Sequence, residues 1–429
     1  MPTLLEQKAA AALECHNAGN YPGAIACYQE MLLLDPQNPT ANNNIAVMLM
    51  RQGQHQEALP YLQAAFAVTP QDKDVRANLS RLLRHLGQHQ ALLALGESVA
   101  HWYIIEIAAA CNLRCPSCPN GNFRDEDYQT TSRFRRGFMN LDLYRQIIPK
   151  LRQSHFPPAW FIFYNWGEPL LHPQVDEFIR IANEFGIASS ISTNLSHELN
   201  LEKAIAAGPR HLKVSLSGSR QEHYVRTHTG GDIRIVKANM YRLRHYLDKY
   251  GCQAPVNVGF HLYKHNIGDY YPVKALCEEL GFSFDPCMAY YCPTEKIARI
   301  VETGQLPEKD RELLDNLLVD IRAQAAIGAK YKDQVTACTI RNNQTIINYD
   351  GSVGLCCSTF DPAYSLAPSV LDCDIDAIQQ QKKAHPFCNV CMTKGLHVTF
   401  GGSAPEGARQ ELTDAGNMAL AALSAPFRF

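Results

Sequence analysis

Three cysteines at C-x3-C-x2-C spacing constrain this chain more than any other feature. Cys111, Cys115 and Cys118 follow a strand-like apolar run at residues 104–107. Three thiolates on one loop can hold three irons of a cubane [4Fe-4S] cluster and leave the fourth iron open for another ligand. Closed zinc sites use four ligands, commonly as two C-x2-C pairs, so an odd third cysteine fits zinc poorly. The spacing therefore predicts an iron–sulfur site with one open position.

This spacing resembles the signature of the radical S-adenosylmethionine (SAM) superfamily. The resemblance implies that the open iron binds SAM and that one electron cleaves the bond between the sulfur and C5′. The resulting 5′-deoxyadenosyl radical would then remove a hydrogen from the substrate. One position departs from the family pattern, because Ser117 stands before the third cysteine where an aromatic residue is common. This departure affects packing against the cluster and not ligation of the iron.

Composition favours an intracellular multidomain enzyme. The chain has 429 residues, 46% of them hydrophobic, which is enough for several cores at about 150 residues per domain. A net charge of −2 gives no footprint for nucleic acid or anionic membrane. No signal segment or apolar run of transmembrane length is visible, and the 15 cysteines fall in motif-like groups. We therefore expect a cytoplasmic enzyme with neither nucleic acid nor membrane as a partner.

The first hundred residues contain an internal repeat. Gly19, Gly53 and Gly87 are 34 residues apart, and Pro36 and Pro70 share that period. Two helices per repeat are expected. The stretch resembles about two and a half tetratricopeptide repeats (TPR), which implies a surface for a peptide or protein partner. A packing or dimerisation platform is the alternative. The equivalent apolar positions of the repeats, together with two cysteines, are expected in the helical core: Ala24, Ala58, Tyr28, Leu62, Cys15 and Cys27.

Residues 101–300 alternate between strand-like and helix-like segments. Six such alternations predict a parallel sheet with outer helices, an α/β fold, and the resemblance implies a partial (βα)6 TIM-like barrel. In such barrels the chemistry lies on the loops after the strands, which is where the three cysteines stand. The predicted strands are 103–108, 160–164, 188–193, 211–216, 255–262 and 281–285, and the predicted helices are 141–153, 174–185, 198–207, 232–249 and 269–280.

Polar residues after the second, third and fourth strands are the candidate SAM site. The loop Trp166-Gly167-Glu168-Pro169 is similar to the family's GGEP motif, with Trp166 in place of the first glycine. The resemblance implies that this loop binds the SAM amino group. By themselves these motifs are typical of turns, helix caps and solvated helix charges. The other positions that the resemblance assigns to SAM are Ser192, Thr193, Asn194, Ser215, Ser217 and Arg226, with Asn266 as a weaker candidate.

The sixth strand leads into a group of candidate substrate residues. Cys287, Tyr290, Tyr291 and Cys292 are expected to face the substrate cavity. Of these, Cys287, Tyr290 and Cys292 are the catalytic candidates, because a thiol there could return a hydrogen atom to a product radical. The alternative for the cysteines is inert core packing.

A second group of cysteines lies in residues 333–429. Cys338 and Cys356 are separated by 17 residues, and Cys388 and Cys391 form a C-x2-C pair. Four thiolates can close either a zinc site or a cubane cluster. The pattern resembles the twitch domain of SAM dehydrogenases, a small α+β unit related to the larger SPASM domain, which implies one auxiliary [4Fe-4S] cluster. The spacing also predicts a hairpin turn at Asp350-Gly351, while Cys357 and Cys373 are possible replacement ligands and His397 stands where SPASM would need a further cysteine.

These patterns together predict four segments: TPR-like repeats (1–100), the barrel (101–300), a helical linker (301–332) and a twitch/SPASM-like domain (333–429). We expect two [4Fe-4S] clusters, SAM, an external electron donor such as flavodoxin or ferredoxin, and oxidative modification of a peptide or protein segment. Two alternatives stay open at this point. One is a dehydrogenase or epimerase acting on a small sugar or aminocyclitol, and the other is a noncatalytic scaffold with zinc and repeats.

Overall fold

The computed structural model describes residues 3–86, 88, 91–92, 95, 101–123, 136–154, 158–335 and 337–429. The chain divides into two units, Met1–Val99 and Ala100–Phe429. No helix in the described part of either unit is long and apolar enough to span a bilayer.

The first unit is a series of helices, two to each repeat, as the 34-residue period predicts. Gly19 and Gly53 end the first helix of their repeats with φ of +72° and +78°, a conformation that favours glycine. The predicted core positions at Ala24, Ala58 and Leu62 are fully buried, whereas Gly87 lies outside the described residues. The five helices are α1 (Leu4–Asn17), α2 (Tyr21–Leu34), α3 (Pro39–Arg51), α4 (His55–Val68) and α5 (Lys73–Leu86).

A nine-stranded sheet organises the second unit. Its order is β6-β5-β4-β3-β2-β1-β7-β8-β9, and β1 to β6 pair in parallel in chain order, which confirms the predicted (βα)6 arrangement. The strands are β1 (His101–Ile105), β2 (Pro158–Ile162), β3 (Ala188–Thr193), β4 (His211–Ser215), β5 (Val256–Leu262), β6 (Ser283–Met288), β7 (Gln344–Ile347), β8 (Val353–Gly354) and β9 (Ser365–Ala367).

The C-terminal strands extend the same sheet. Strand β7 pairs in parallel with β1, on the side opposite β2. Strand β8 then returns antiparallel to β7, around a turn in which Gly351 has φ of +84°, so the predicted hairpin is confirmed. The region that contains the C-terminal cysteines is therefore hydrogen-bonded, through β7, to the strand that precedes the first three cysteines.

Helices cover the outside of the parallel strands and build the C-terminal region. The predicted helix at residues 141–153 has those bounds, and the other predicted barrel helices differ by a few residues at their ends. A helix at Gln221–Thr227 was not predicted. The helices are α6 (Pro119–Asn122), α7 (Leu141–Gln153), α8 (Val175–Glu184), α9 (Leu201–Ala206), α10 (Gln221–Thr227), α11 (Ile233–Tyr250), α12 (Tyr270–Leu280), α13 (Thr294–Thr303), α14 (Arg311–Asp315), α15 (Ile321–Tyr331), α16 (Thr339–Asn343), α17 (Ile378–Ala384), α18 (Pro386–Thr393), α19 (Leu396–Thr399) and α20 (Glu406–Ala422).

The segment predicted as a helical linker, residues 301–332, contains separate helices. Helix α13 ends at Gly304, whose φ of +70° is left-handed, and the chain resumes as the separate helices α14 and α15. These helices are not a free linker. They share a buried core with residues of the barrel and of the C-terminal region, namely Tyr263, Ala289, Tyr291, Ile297, Leu313, Ile321 and Leu396.

The barrel wall follows the alternation of its strands. In β4, Leu212 and Val214 are buried in the wall, and the intervening Lys213 and Ser215 are only partly buried. Successive side chains of a strand point to opposite faces, so the polar positions of β4 face the barrel interior. On β4, the polar side chains therefore line the barrel interior, and the apolar side chains pack on the outer face.

We expect alanine at Gly395 to destabilise the second unit strongly. Gly395 has φ of +74°, and a Cβ atom there would overlap the backbone of Gly328 on α15. Gly304→Ala is a matched control, because Gly304 has φ of +70° and nothing within 4 Å of its Cβ position. Left-handed strain costs about 1 kcal/mol and overpacking about 1–3 kcal/mol more. Denaturant unfolding should therefore show a larger loss for Gly395→Ala, and equal losses would contradict the close packing.

Candidate active site

One cavity at the carboxyl ends of the parallel strands collects most of the predicted SAM residues. It encloses about 1040 Å³, including space open to solvent. Loops from β1, β2, β3 and β4, together with the segment after β6, form its wall. The predicted residues that line it are Cys111, Cys115, Cys118, Trp166, Gly167, Glu168, Ser192, Thr193, Asn194, Ser215, Ser217, Tyr290 and Cys292.

The three cysteines are held on a hydrogen-bonded loop. The Cys118 backbone N–H donates to the Cys115 carbonyl at 3.0 Å, and the Leu113 N–H points at the Cys111 sulfur at 3.4 Å. Burial raises the pKa of Cys111 to about 11 and that of Cys118 to about 12. Thiols with such pKa values lose their protons readily only to a bound metal. The donor set thus suits an iron–sulfur cluster.

The loop after β2 approaches the cysteine loop backbone to backbone. The Glu168 N–H donates to the Ala110 carbonyl at 2.8 Å, and the Trp166 N–H donates to the Glu106 carboxylate at 2.9 Å. A Cβ atom on Gly167 would overlap the Ala108 carbonyl oxygen. Glycine is therefore required at this position, because any side chain would push the two loops apart.

Glu168 joins the second loop to the third. Its two carboxylate oxygens accept the backbone N–H groups of Leu170 at 3.1 Å and Asn194 at 2.8 Å. Burial raises the pKa of Glu168 to about 7, despite these hydrogen bonds. The Asn194 side chain in turn donates to Asn112 at 3.1 Å and lies 3.8 Å from the Cys111 sulfur. Three loops therefore share one hydrogen-bond network around the cysteines.

The loop after β4 is fixed by buried polar groups. Ser217 is fully buried, and its hydroxyl accepts the His261 N–H at 3.1 Å. Asn266 donates to the carbonyls of Ser217 and His261 and accepts the Tyr263 N–H. Asn266 is not among the residues that line the cavity. Its position indicates that it supports the loops, in contrast to the predicted SAM contact.

Three predicted positions lie elsewhere. Arg226 does not line the cavity, because it forms an exposed ion pair with Glu312 at 3.2 Å. Tyr291 is 1% exposed, lies in the core shared with α14 and α15, and donates its hydroxyl proton to Asp310. Cys287 also falls outside the lining residues. The placement of Arg226 and Tyr291 corrects the prediction, since strand and helix periodicity near their ends did not resolve which way these side chains point.

Several residues of the cavity wall were not predicted. Lys213, His228, His261 and Tyr263 line it with the predicted residues. The alternation of β4 is the sequence signal that could have indicated Lys213. Tyr263, which directly follows β5, lines the same cavity as Ser117, the serine at the position where the resemblance expects an aromatic residue.

A second cavity lies between the C-terminal cysteines. Cys338, Cys356, Cys388 and Cys391 all line it, and it holds about 510 Å³ of empty space including open solvent. In the described part of the chain, no three His, Cys, Asp or Glu side chains form a single-ion site. Cys373 lies apart, with its thiol directed to the Val370 carbonyl at 3.5 Å.

Cys357 is next to this second cavity but does not line it. The adjacent Cys356 thiol lowers the pKa of Cys357, and the Cys357 sulfur lies 3.9 Å from the Ser358 hydroxyl. Burial raises the pKa of Cys388 to about 11. The buried ammonium of Lys382 faces Cys356, Cys388 and Cys338 and donates to the Gln344 carbonyl. Four thiols and an adjacent cation suit an anionic metal–thiolate centre.

Trp166 connects the two cysteine sites. Its carbonyl oxygen is 4.0 Å from the Cys118 sulfur, and its indole N–H donates to the Thr359 carbonyl at 3.3 Å. The Thr359 hydroxyl donates to the Cys356 carbonyl at 3.0 Å. Trp166 therefore ties the loop after β2 to the C-terminal region.

We expect Gly167→Ala to weaken SAM binding at least about tenfold, or about 1.4 kcal/mol, because the added methyl group separates the two loops. Equilibrium dialysis of the anaerobically reconstituted protein measures this affinity. Gly268→Ala is the control, since its Cβ would meet only one atom within 4 Å, at 3.7 Å. Unchanged affinity in Gly167→Ala would contradict the proposed role of this loop.

Solved structures with a similar arrangement include three that contain SAM. SuiB of Streptococcus suis bound to S-adenosylmethionine is 13% identical, with 82% of this chain and 80% of that chain covered and a TM-score of 0.45. The structure anSMEcpe with bound AdoMet is 15% identical over 76% and 100% of the two chains, with a TM-score of 0.42. BtrN in complex with AdoMet and 2-DOIA is 16% identical over 69% and 88%, with a TM-score of 0.39.

Family profiles divide the chain where the structure does. The profile of the tetratricopeptide repeat matches residues 16–73 and 49–101. The profile of the radical SAM superfamily matches residues 105–258, which include the three cysteines and the strands β2 to β4. The chain therefore carries a radical SAM domain preceded by tetratricopeptide repeats.

Proposed function

We propose that this protein cleaves SAM reductively and uses the resulting radical to oxidise a peptide or protein segment. The observation that carries the proposal is a single cavity lined by Cys111, Cys115 and Cys118 together with Gly167 and the polar ends of β3 and β4. Bound to the three thiolates, a [4Fe-4S] cluster would supply the electron that splits SAM into methionine and the 5′-deoxyadenosyl radical. An external donor such as flavodoxin or ferredoxin would deliver that electron.

The chain's own residues hold and orient SAM in this scheme. The close approach at Gly167 exposes backbone groups of the second loop to the SAM amino group. Ser192, Thr193 and Asn194 offer hydroxyl and amide groups to the ribose and carboxylate, and Ser215 and Ser217 continue this polar wall along β4. Arg226 is left out of this assignment because it pairs with Glu312.

Oxidation of the substrate requires a place for a second electron. Hydrogen abstraction converts a substrate C–H group into a carbon radical, which loses one electron and one proton to give a product lighter by two hydrogens. A second cluster on Cys338, Cys356, Cys388 and Cys391 would accept that electron. The shared cavity of these four thiols and the buried Lys382 beside them support this assignment.

The repeats supply the argument for a peptide or protein substrate. Helices α3, α4 and α5 surround a cavity lined by Arg51, His55, Asn78 and Arg81. Two guanidinium groups and two further polar side chains suit an acidic segment. Small sugars or aminocyclitols are the second candidate, since a cavity of this polarity in the barrel could also bind hydroxyl groups.

Epimerisation is a second candidate reaction. Cys292 and Tyr290 line the barrel cavity, so a thiol is available to return a hydrogen atom to the opposite face of a substrate radical. The Cys292 carbonyl accepts a hydrogen bond from Asn122 at 2.7 Å, which fixes its segment. We favour oxidation because four converging cysteines support it and one thiol supports epimerisation.

We expect about eight irons per chain after anaerobic reconstitution, because two cubane clusters contain four irons each. The triple variant with alanine at Cys111, Cys115 and Cys118 should retain about four. The variant Cys388→Ala should lose iron from the other site, whereas Cys373→Ala should keep the full content. Metal analysis that finds about four irons and one zinc in the intact protein would contradict the auxiliary cluster.

We expect products of the oxidative reaction to weigh two hydrogens less than their substrate. Anaerobic incubation with SAM, a reductant and separate pools of peptides and sugars should yield 5′-deoxyadenosine and a modified product in the peptide pool. Mass spectrometry measures the change. In deuterium oxide, an epimerised product would instead keep its formula and gain one solvent deuterium. Formation of such a product, unaffected by Cys388→Ala, would contradict the oxidative proposal.

A further inference from the structure

We propose that Lys213 binds a carboxylate of the substrate inside the barrel, so that the substrate segment presents an aspartate, a glutamate or its own C terminus to this lysine. This inference rests on the proposed function, because it specifies the substrate of the same cavity. It assigns a substrate-binding role to a residue that the sequence motifs did not indicate.

The position of Lys213 separates it from the SAM residues of the same strand. Lys213 lies opposite Ser192 of β3 and Asn257 of β5 in the parallel register. A strand rises about 3.3 Å per residue, so Lys213 is about 7 Å from Ser215, the last residue of β4. The loop with the three cysteines follows β1, at the carboxyl ends of the parallel strands. Lys213 is therefore set back from the carboxyl end of β4, beside Ser192 at the edge of the proposed SAM wall.

The fold leaves space for this side chain. Gly259 on β5 stands beside it, and a Cβ atom there would come within 3.0 Å of the Lys213 Cε. Any larger residue at Gly259 would force the lysine to move. The lysine reaches across β5 toward β6, where its charge acts on the Cys287 thiol.

The Lys213 ammonium has no anionic partner within the described residues. It forms none of the hydrogen bonds or ion pairs that hold the other loops of the cavity, and Asp285 on β6 does not pair with it. An ammonium group in a partly enclosed cavity loses part of its hydration. Without an anionic partner, the lost hydration is not compensated. A carboxylate from a ligand would supply a charge-assisted hydrogen bond there.

The other titratable groups of the cavity do not compete for this role. Burial, with the Lys213 charge, lowers the pKa of His261 to about 4, and burial lowers the pKa of His228 to about 3. Both imidazoles are therefore neutral near pH 7. The Glu168 carboxylate is occupied by two backbone N–H groups. Lys213 is thus the positive charge that a substrate meets in the described wall of the cavity.

The test is selection of peptides by the full-length, reconstituted, SAM-loaded protein. Two random peptide libraries are used, one with free and one with amidated C termini, and the enriched sequences are compared among variants. Lys213→Gln removes the charge, and Lys213→Arg keeps it. Lys203→Gln removes an exposed lysine on α9, and Arg81→Gln reports on acidic selection by the repeats. Iron content confirms that each variant is loaded.

We expect the wild type, Lys213→Arg and Lys203→Gln to enrich peptides with an acidic residue at one position, or to enrich peptides only from the library with free C termini. Lys213→Gln should lose this preference about tenfold while its SAM affinity, measured by equilibrium dialysis, changes less than about twofold. Acidic enrichment in the amidated library would indicate a side-chain carboxylate. Enrichment confined to the library with free C termini would indicate the terminal carboxylate.

Four results would overturn the proposal. An acidic preference that persists in Lys213→Gln and disappears in Arg81→Gln would assign it to the repeats. A tenfold loss of SAM affinity in Lys213→Gln, with peptide preference unchanged, would assign Lys213 to the SAM carboxylate. Enrichment of peptides without acidic preference would remove the role of Lys213 alone, whereas no enrichment by a wild type that still cleaves SAM would remove the peptide substrate itself.

Discussion

The close approach of two backbones at Gly167 is the contact on which the rest of the site depends. A Cβ there would overlap the Ala108 carbonyl, and the next residue donates its N–H to Ala110. These contacts set the distance between the cysteine loop and the loop after β2. Because Glu168 then binds the backbone of the loop after β3, one glycine determines the spacing of three loops.

The parallel sheet brings the two cysteine groups together. Strand β1 pairs with β2 on one side and with β7 on the other, so a strand from the C-terminal region is the immediate neighbour of the strand that precedes the first three cysteines. Trp166 adds a second connection through the Thr359 carbonyl. In this chain the bulky residue at the first glycine of the motif packs edge-on against Phe360 at the wall of the cavity.

The buried thiols of both cysteine groups are poised to release their protons only to a bound metal. Burial raises the pKa of Cys111 and Cys388 to about 11, so the side chains alone are neutral and interact weakly. Iron bound there would replace these protons and would couple metal binding to the order of the surrounding loops. Lys382, fully buried beside the second group, adds a positive charge where thiolates would otherwise repel one another.

The sequence by itself determined the parallel strands, the helical repeats and the polar strand ends, because periodicity and turn residues are local properties. Only the tertiary structure decided which side chains meet. Arg226 and Tyr291 lie near the predicted site along the chain, yet one pairs with Glu312 and the other with Asp310. The alternation of β4 indicates only the face on which Lys213 stands, and the pairing of β4 between β3 and β5 makes that face part of the cavity wall. The direction of a side chain depends on long-range packing, which the spacing of residues along the chain does not contain.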